Sequence, residues 1–389
     1  MYITNQEDLK VLCERLSSCE MLAIDTEFVR EKTYFHRLGL IQVAGGDNCA
    51  AIDPILVGDL QPFLQIVRSP EVLKVFHAGK QDLEILFRLC GEAIYPVFDT
   101  QIAASLVGWG SQISFAKIVH KAIGKKIHKG ETYTDWCRRP LTKNQIEYAL
   151  DDVRFLVPVY EKLVRQLKKR NRLEWLQGEF HALENPQNFA LPDPRKQFMR
   201  VKNIRSLYPR NLSVLREIAA WREDEARTRD CLAKSVIRDE PLLEIARILP
   251  KSIDILEGIR GINRREISKN GKDILSAIER GLDVPEGEQP VLPESDGYST
   301  NRGVEELLAA YVQIRSEELH IEPTILAQRK HIHEFVKWYE QEKDIEEHFL
   351  FQGWRKACIG ANLLSILKGE MGLYIDPSGE VGLNPLDKS

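Results

Sequence analysis

Apolar and polar positions change rhythm twice along these 389 residues. In the first part, short β-type runs alternate with helical patterns. MLAIDTEF, LGLIQVAG and CAAIDP, beginning at Met21, Leu38 and Cys49, are strand candidates separated by turn residues, and their close succession predicts an antiparallel meander. LQPFLQIV predicts a helix, VLKVFHA a strand, and KQDLEILFRLC a helix that stops at Gly91. IYPVFDTQIAASLVGWG reads as a short strand entering a helix. LTKNQIEYALDDVRFLVPVYEKLVRQL is a long amphipathic helical region whose Thr142 and Gln145 fit a capping box. The pattern predicts an α/β domain over residues 1–183, a mixed sheet flanked by helices.

The rhythm then shifts. ENPQNFALPDPRKQF opens a linker or arm, placed at 184–206, and residues 207–283 show helical periodicity with almost no strand signal. A second break over 284–303 is acidic and rich in Pro and Gly, and 304–389 is expected as another helical domain. The two helical blocks share an order of features, from AAWREDEARTRD at Ala219 and AAYVQIRSEELH at Ala309, which suggests a distant repeat or a chance match of two helical hairpins.

Composition narrows the class. Hydrophobic residues at 43% and charged residues at 29% describe a globular chain, and no apolar run is long enough to span a bilayer. The start, MYITNQEDLKVLCERL, lacks the apolar stretch of a secretory signal. Seven cysteines, never spaced CxxC, argue against a disulfide framework and a cysteine zinc site, so a cytoplasmic setting is expected. The net charge of −4 is unevenly spread: residues 284–389 hold 10 Lys/Arg against 19 Asp/Glu, which leaves 44 bases and 39 acids before them. KLVRQLKKRNR carries six bases and no acid, a phosphate-binding surface or a solvated helix face.

Candidate chemistry starts with Asp25 and Glu27, at the end of a strand that should be buried. Residues two apart on a strand share a face, so these carboxylates converge. Asp82 falls in the first turn of the helix after VLKVFHA, where an acid also suits the helix dipole. Tyr148 and Asp152 are four apart and share a helical face, whereas Asp151 points elsewhere. Four acids from one strand and two helices repel one another. They suit two Mg²⁺ ions, which take hard oxygen ligands and can promote phosphoryl transfer.

AIDTEF, HAGKQDLEIL and YALDDV, in this order, resemble the three motifs of the DEDD superfamily of 3′→5′ exonucleases, with Tyr148 marking the tyrosine subclass. EFVREKTYFHRLGLIQVA and TDWCRRPLTKNQIEYALDDV narrow the resemblance to the bacterial ribonuclease D family, and LYPRNLSVLREIAAWREDEARTRD to its helical HRDC domains. The resemblance implies a ribonuclease H-like α/β exonuclease domain followed by all-α HRDC bundles. It implies that Asp25, Glu27, Asp82 and Asp152 bind two divalent ions, Mg²⁺ or Mn²⁺, with Asp25 touching both, and that Tyr148 orients or helps activate the attacking water. The implied activity removes nucleoside 5′-monophosphates from RNA 3′ ends. The implied substrate is precursor tRNA or another structured RNA with a 3′ tail, with no membrane and no obligatory protein partner.

Other residues have two readings each. Phe28 can stack on a terminal base or pack in the core. His77 can meet a phosphate or act as a hydrogen-bonded residue at a strand end. Gln42 can reach substrate or lie buried in its strand. Lys125, Lys126 and Lys129 read as a basic loop near the active-site mouth, with phosphate contact or none as its two readings. A DNA exonuclease would use the same acids, and an inert RNA-binding protein on this fold would be expected to have lost one.

Overall fold

The computed structural model describes residues 1–127, 134–292 and 300–386. Two compact units divide the chain: one takes in Met1–Glu27, Leu38–Phe189 and Gly297–Ser389, the other Phe28–Arg37 and Ala190–Asp296. No helix of the described residues is long and apolar enough to cross a membrane.

The first unit is built on a six-stranded sheet of β1 (Tyr2–Ile3), β2 (Met21–Val29), β3 (Arg37–Gly45), β4 (Asn48–Ile52), β5 (Leu73–Phe76) and β6 (Val97–Asp99), ordered β1-β4-β3-β2-β5-β6. β3 and β4 are antiparallel, while β2–β5, β5–β6 and β1–β4 are parallel, so the sheet is mixed. β3 is buried from Gly39 to Gly45, as a central strand covered on both faces must be. One face packs Leu22 and Ile24 against Leu9, Leu12, Phe63 and Leu86 of flanking helices. The other packs Ala23 and Val75 against Ala103, Val153, Leu156 and Val159. Because side chains alternate along β2, Asp25 and Glu27 continue the side of Ala23, which faces the helix Lys143–Arg154.

The C-terminal segment contributes the helices Arg302–Leu319, Arg329–Glu340 and Ala361–Leu367 and a core around Leu308, Phe335 and Leu363. Expected as a separate domain, it clusters with the α/β sheet. Trp354 stacks on Trp175 with ring centroids 4.4 Å apart. Arg172 Nη2 donates to Leu319 O at 2.7 Å, and Arg355 Nη1 to Glu179 Oε1 at 2.6 Å. A terminal hairpin, β7 (Met371–Ile375) with β8 (Val381–Pro385), follows these helices.

The second unit packs the helices Pro209–Thr228, Asp239–Ile248 and Arg264–Leu282 around Leu215, Ile218, Leu242, Ile274 and Ile278. Arg229 reaches both oxygens of Glu266 at 2.8 and 2.7 Å. Gly281 faces the backbone of Val214 so closely that an added Cβ would lie 2.8 Å from Val214 N. Gly281→Ala should therefore force the two helices apart and cost about 1–3 kcal/mol, read as a lower melting temperature. An unchanged melt would show that this crossing is not tightly packed.

Candidate active site

β2 and the helix Lys143–Arg154 bring one oxygen each of Asp25, Glu27 and Asp152 within 4.8 Å of one another. The helix starts where the sequence places it: Thr142 accepts from Gln145 N, and the Gln145 side chain accepts from Thr142 N at 2.7 Å. Ala149, Leu150 and Val153 bury its sheet side. Asp152 is thereby held near β2, while Asp151 turns away to Arg154 Nη1 at 2.5 Å.

Asp82, the fourth acid, is buried and stands outside this close group; its Oδ1 accepts from the Thr26 hydroxyl. Its place is set by the turn between β5 and the helix Lys80–Cys90. Buried Asp99 pins that turn by accepting from Ala78 N at 3.2 Å and Gly79 N at 2.8 Å, and also caps the next helix through Gln101 N at 2.7 Å. Neither Thr26 nor Asp99 was singled out in the sequence. The available signal for Asp99 was its position as an N-cap before TQIAASL.

Tyr148 is half-buried, its ring roughly parallel to Trp136 with centroids 6.3 Å apart. Trp136 is fixed from below. Arg139 donates to Trp136 O at 2.7 Å, to Gly39 O at 2.6 Å, and to both oxygens of fully buried Asp53 at 2.6 and 2.8 Å. Gly39 makes this close approach possible, since a Cβ there would lie 2.5 Å from Trp136 O.

Burial, followed by repulsion from Asp82, Asp152 and Glu27, holds the Asp25 carboxyl well above its ordinary range. Burial and the charges of Asp152 and Asp82 push Glu27 up to about 8. Burial raises Asp152 to about 7 and Asp82 to about 6, although the Thr26 hydroxyl opposes the shift at Asp82. Such a cluster favours protons or cations. With folded values above the unfolded ones, its stabilising contribution is full below about pH 4 and is lost as pH rises through about 8. In chelator, the melting temperature should fall between these limits, and added Mg²⁺ should raise it more at the alkaline end. No rise with Mg²⁺ at alkaline pH would exclude a divalent-ion site here.

The other candidates are less directly placed. Phe28 lies edge-on to His36, centroids 4.7 Å apart. His77 uses both ring nitrogens within the protein, on Thr100 Oγ1 at 2.9 Å and Ile113 O at 3.1 Å, which matches a hydrogen-bonded strand-end histidine. Gln42 is wholly buried on the central strand, so substrate contact is corrected to a buried amide; neither of its amide atoms has a partner among the described residues. Lys125 is exposed and sets its Nζ 4.2 Å from the Phe155 ring centroid. Lys126 lines a cavity beside Trp109, and Lys129 lies outside the described residues.

The 3′-5′ exonuclease family model matches residues 1–168, and the HRDC domain model residues 211–278. Ribonuclease D of Gluconacetobacter diazotrophicus is 37% identical, over 96% of this chain and 94% of its own. Ribonuclease D of Bartonella henselae is 35% identical, over 99% of this chain and 94% of its own. The crystal structure of Escherichia coli RNase D superposes with a TM-score of 0.82 at 33% identity, covering 95% of this chain and 98% of that one. With the acids converging on the exonuclease sheet, these likenesses make the chain a member of the ribonuclease D family, a hydrolytic 3′→5′ exoribonuclease with an HRDC domain.

Proposed function

We propose that the enzyme trims structured RNA, precursor tRNA above all, by removing nucleoside 5′-monophosphates one at a time from a short single-stranded 3′ tail. The convergence of Asp25, Glu27 and Asp152 carries this reading. Its donor set is purely carboxylate oxygen, the chemistry that Mg²⁺ and Mn²⁺ favour, and Asp82 would complete the set of four. When bound, two such ions would supply Lewis-acid charge for phosphodiester hydrolysis. The protein's part is to fix the donors on β2 and the Tyr148 helix and to hold the attacking water. A free tyrosine has a pKa near ~10, so the Tyr148 hydroxyl orients that water by hydrogen bonding and does not abstract its proton.

The E. coli relative is described as an exoribonuclease involved in structured RNA processing, which supports the same substrate class for this chain. Backbone and ribose contacts would dominate recognition, with little base readout. The test is digestion of end-labelled precursor tRNA and a matched DNA, with Mg²⁺, Mn²⁺ or chelator. Stepwise shortening of RNA only with the divalent ion is expected. Equal or faster shortening of the DNA would favour a DNA exonuclease, and binding without shortening an inert RNA-binding protein.

A further inference from the structure

A cavity of about 960 Å³ opens beside the helix Phe115–Ile123, within the unit that carries the acids. Lys117, His120 and Lys121 recur at three- and four-residue spacing and so share one face of that helix. All three line the cavity, joined by Lys126 just beyond the helix. The lysines are exposed, and none makes an ion pair among the described residues. Glu322 is the one acid among the described residues of the lining, so the wall is net positive.

Trp109 supplies an aromatic wall, with Lys121 Nζ 5.6 Å from its ring centroid. The ring is carried on a tight, glycine-flanked turn. Gly108 and Gly110 adopt φ of 79° and 114°, and a Cβ on Gly108 would collide with the His320 carbonyl oxygen. The cavity is also wired to the catalytic side of the sheet. Ile113, in its lining, accepts through its carbonyl from His77 and from Gln101, each at 3.1 Å. His77 directly follows β5 and leads into the turn that sets Asp82.

We propose that this cavity is a second RNA-binding site, which takes backbone phosphates and one stacked base of the single-stranded segment upstream of the nucleotide being released. Lysine ammonium groups are mobile point charges suited to phosphates in varied positions. An aromatic face beside them accepts any base, because every base has a π-face. The pairing of lysines and tryptophan thus grips single-stranded RNA without reading its sequence. The proposal rests on RNA being the substrate, and it adds a grip distinct from the acid cluster.

Equilibrium binding tests it without cleavage, using full-length protein in chelator and a labelled oligouridine of about sixteen nucleotides. Each lysine–phosphate contact on a single strand contributes about 0.7 to the log–log salt slope. Lys117→Gln/Lys121→Gln should therefore lower that slope by roughly 1.4 and weaken binding about tenfold at low salt. Trp109→Phe removes no charge, so it should weaken binding while leaving the slope unchanged. In the native protein, the oligouridine should quench the part of the tryptophan emission that Trp109→Phe abolishes. An unchanged slope in the lysine variant, or no quenching of Trp109 at saturation, overturns the proposal. The quenching arm decides the matter even if the lysine variant folds poorly. RNA binding with the expected slope but no hydrolysis in Mg²⁺ would defeat the exonuclease reading alone; hydrolysis with an unchanged slope would defeat this site alone.

Discussion

Asp25→Asn is expected to bring RNA hydrolysis below detection while leaving the fold intact or firmer. The side chain keeps its shape but loses the charge at the centre of the cluster, where Asp82, Asp152 and Glu27 all press on it. Relief of that repulsion should raise the melting temperature in chelator, most clearly at alkaline pH, where the native cluster is most charged. Loss of one charged donor should also shrink the thermal stabilisation gained from Mg²⁺. Activity and stability therefore move in opposite directions, a signature that general misfolding cannot give. Substantial turnover by Asp25→Asn at saturating Mg²⁺ would remove Asp25 from the site.

Tyr148→Phe separates a water-positioning hydroxyl from a ring that only packs. The substitution removes one oxygen and leaves the stack on Trp136 in place. A packing role predicts nearly normal rate and stability. A positioning role predicts a fall in kcat of roughly 10²–10⁴, the scale of a lost acid–base or orienting group, with RNA affinity and melting temperature little changed. Single-turnover measurement keeps product release from masking the effect. An unaltered single-turnover rate would assign Tyr148 to packing.

The local parts of the site were legible because they depend on short periods. Alternation along a strand places Asp25 beside Glu27, and one helical turn places Tyr148 beside Asp152. The capping box at Thr142 fixes where that turn begins. What holds the parts in register was not legible. Asp53 and Arg139 are 86 positions apart, and Thr26 and Asp82 are 56 apart, so no local pattern announces either pair. Gln42 shows the same limit from the other side: its strand was evident, but full burial follows from a central place in the sheet, which needs the order of all six strands. The two-residue β1 and the terminal hairpin are too short, or too weakly apolar, to stand out before their partners are known.

The discontinuous first unit imposes an order on synthesis. Arg355 and Glu179 are 176 positions apart, and Trp354 covers Trp175 across a similar span. At about 5–20 residues per second, a ribosome delivers the later partners on the order of ten to thirty-five seconds after the earlier ones. The helical middle of the chain, whose core is drawn largely from residues 198–282, has most of its partners in hand during that interval. The nascent exonuclease sheet meanwhile waits with Trp175 uncovered and Glu179 without its guanidinium. A chain that stops short of Trp354 would keep that face open, so the last third of the message decides whether the first half is finished.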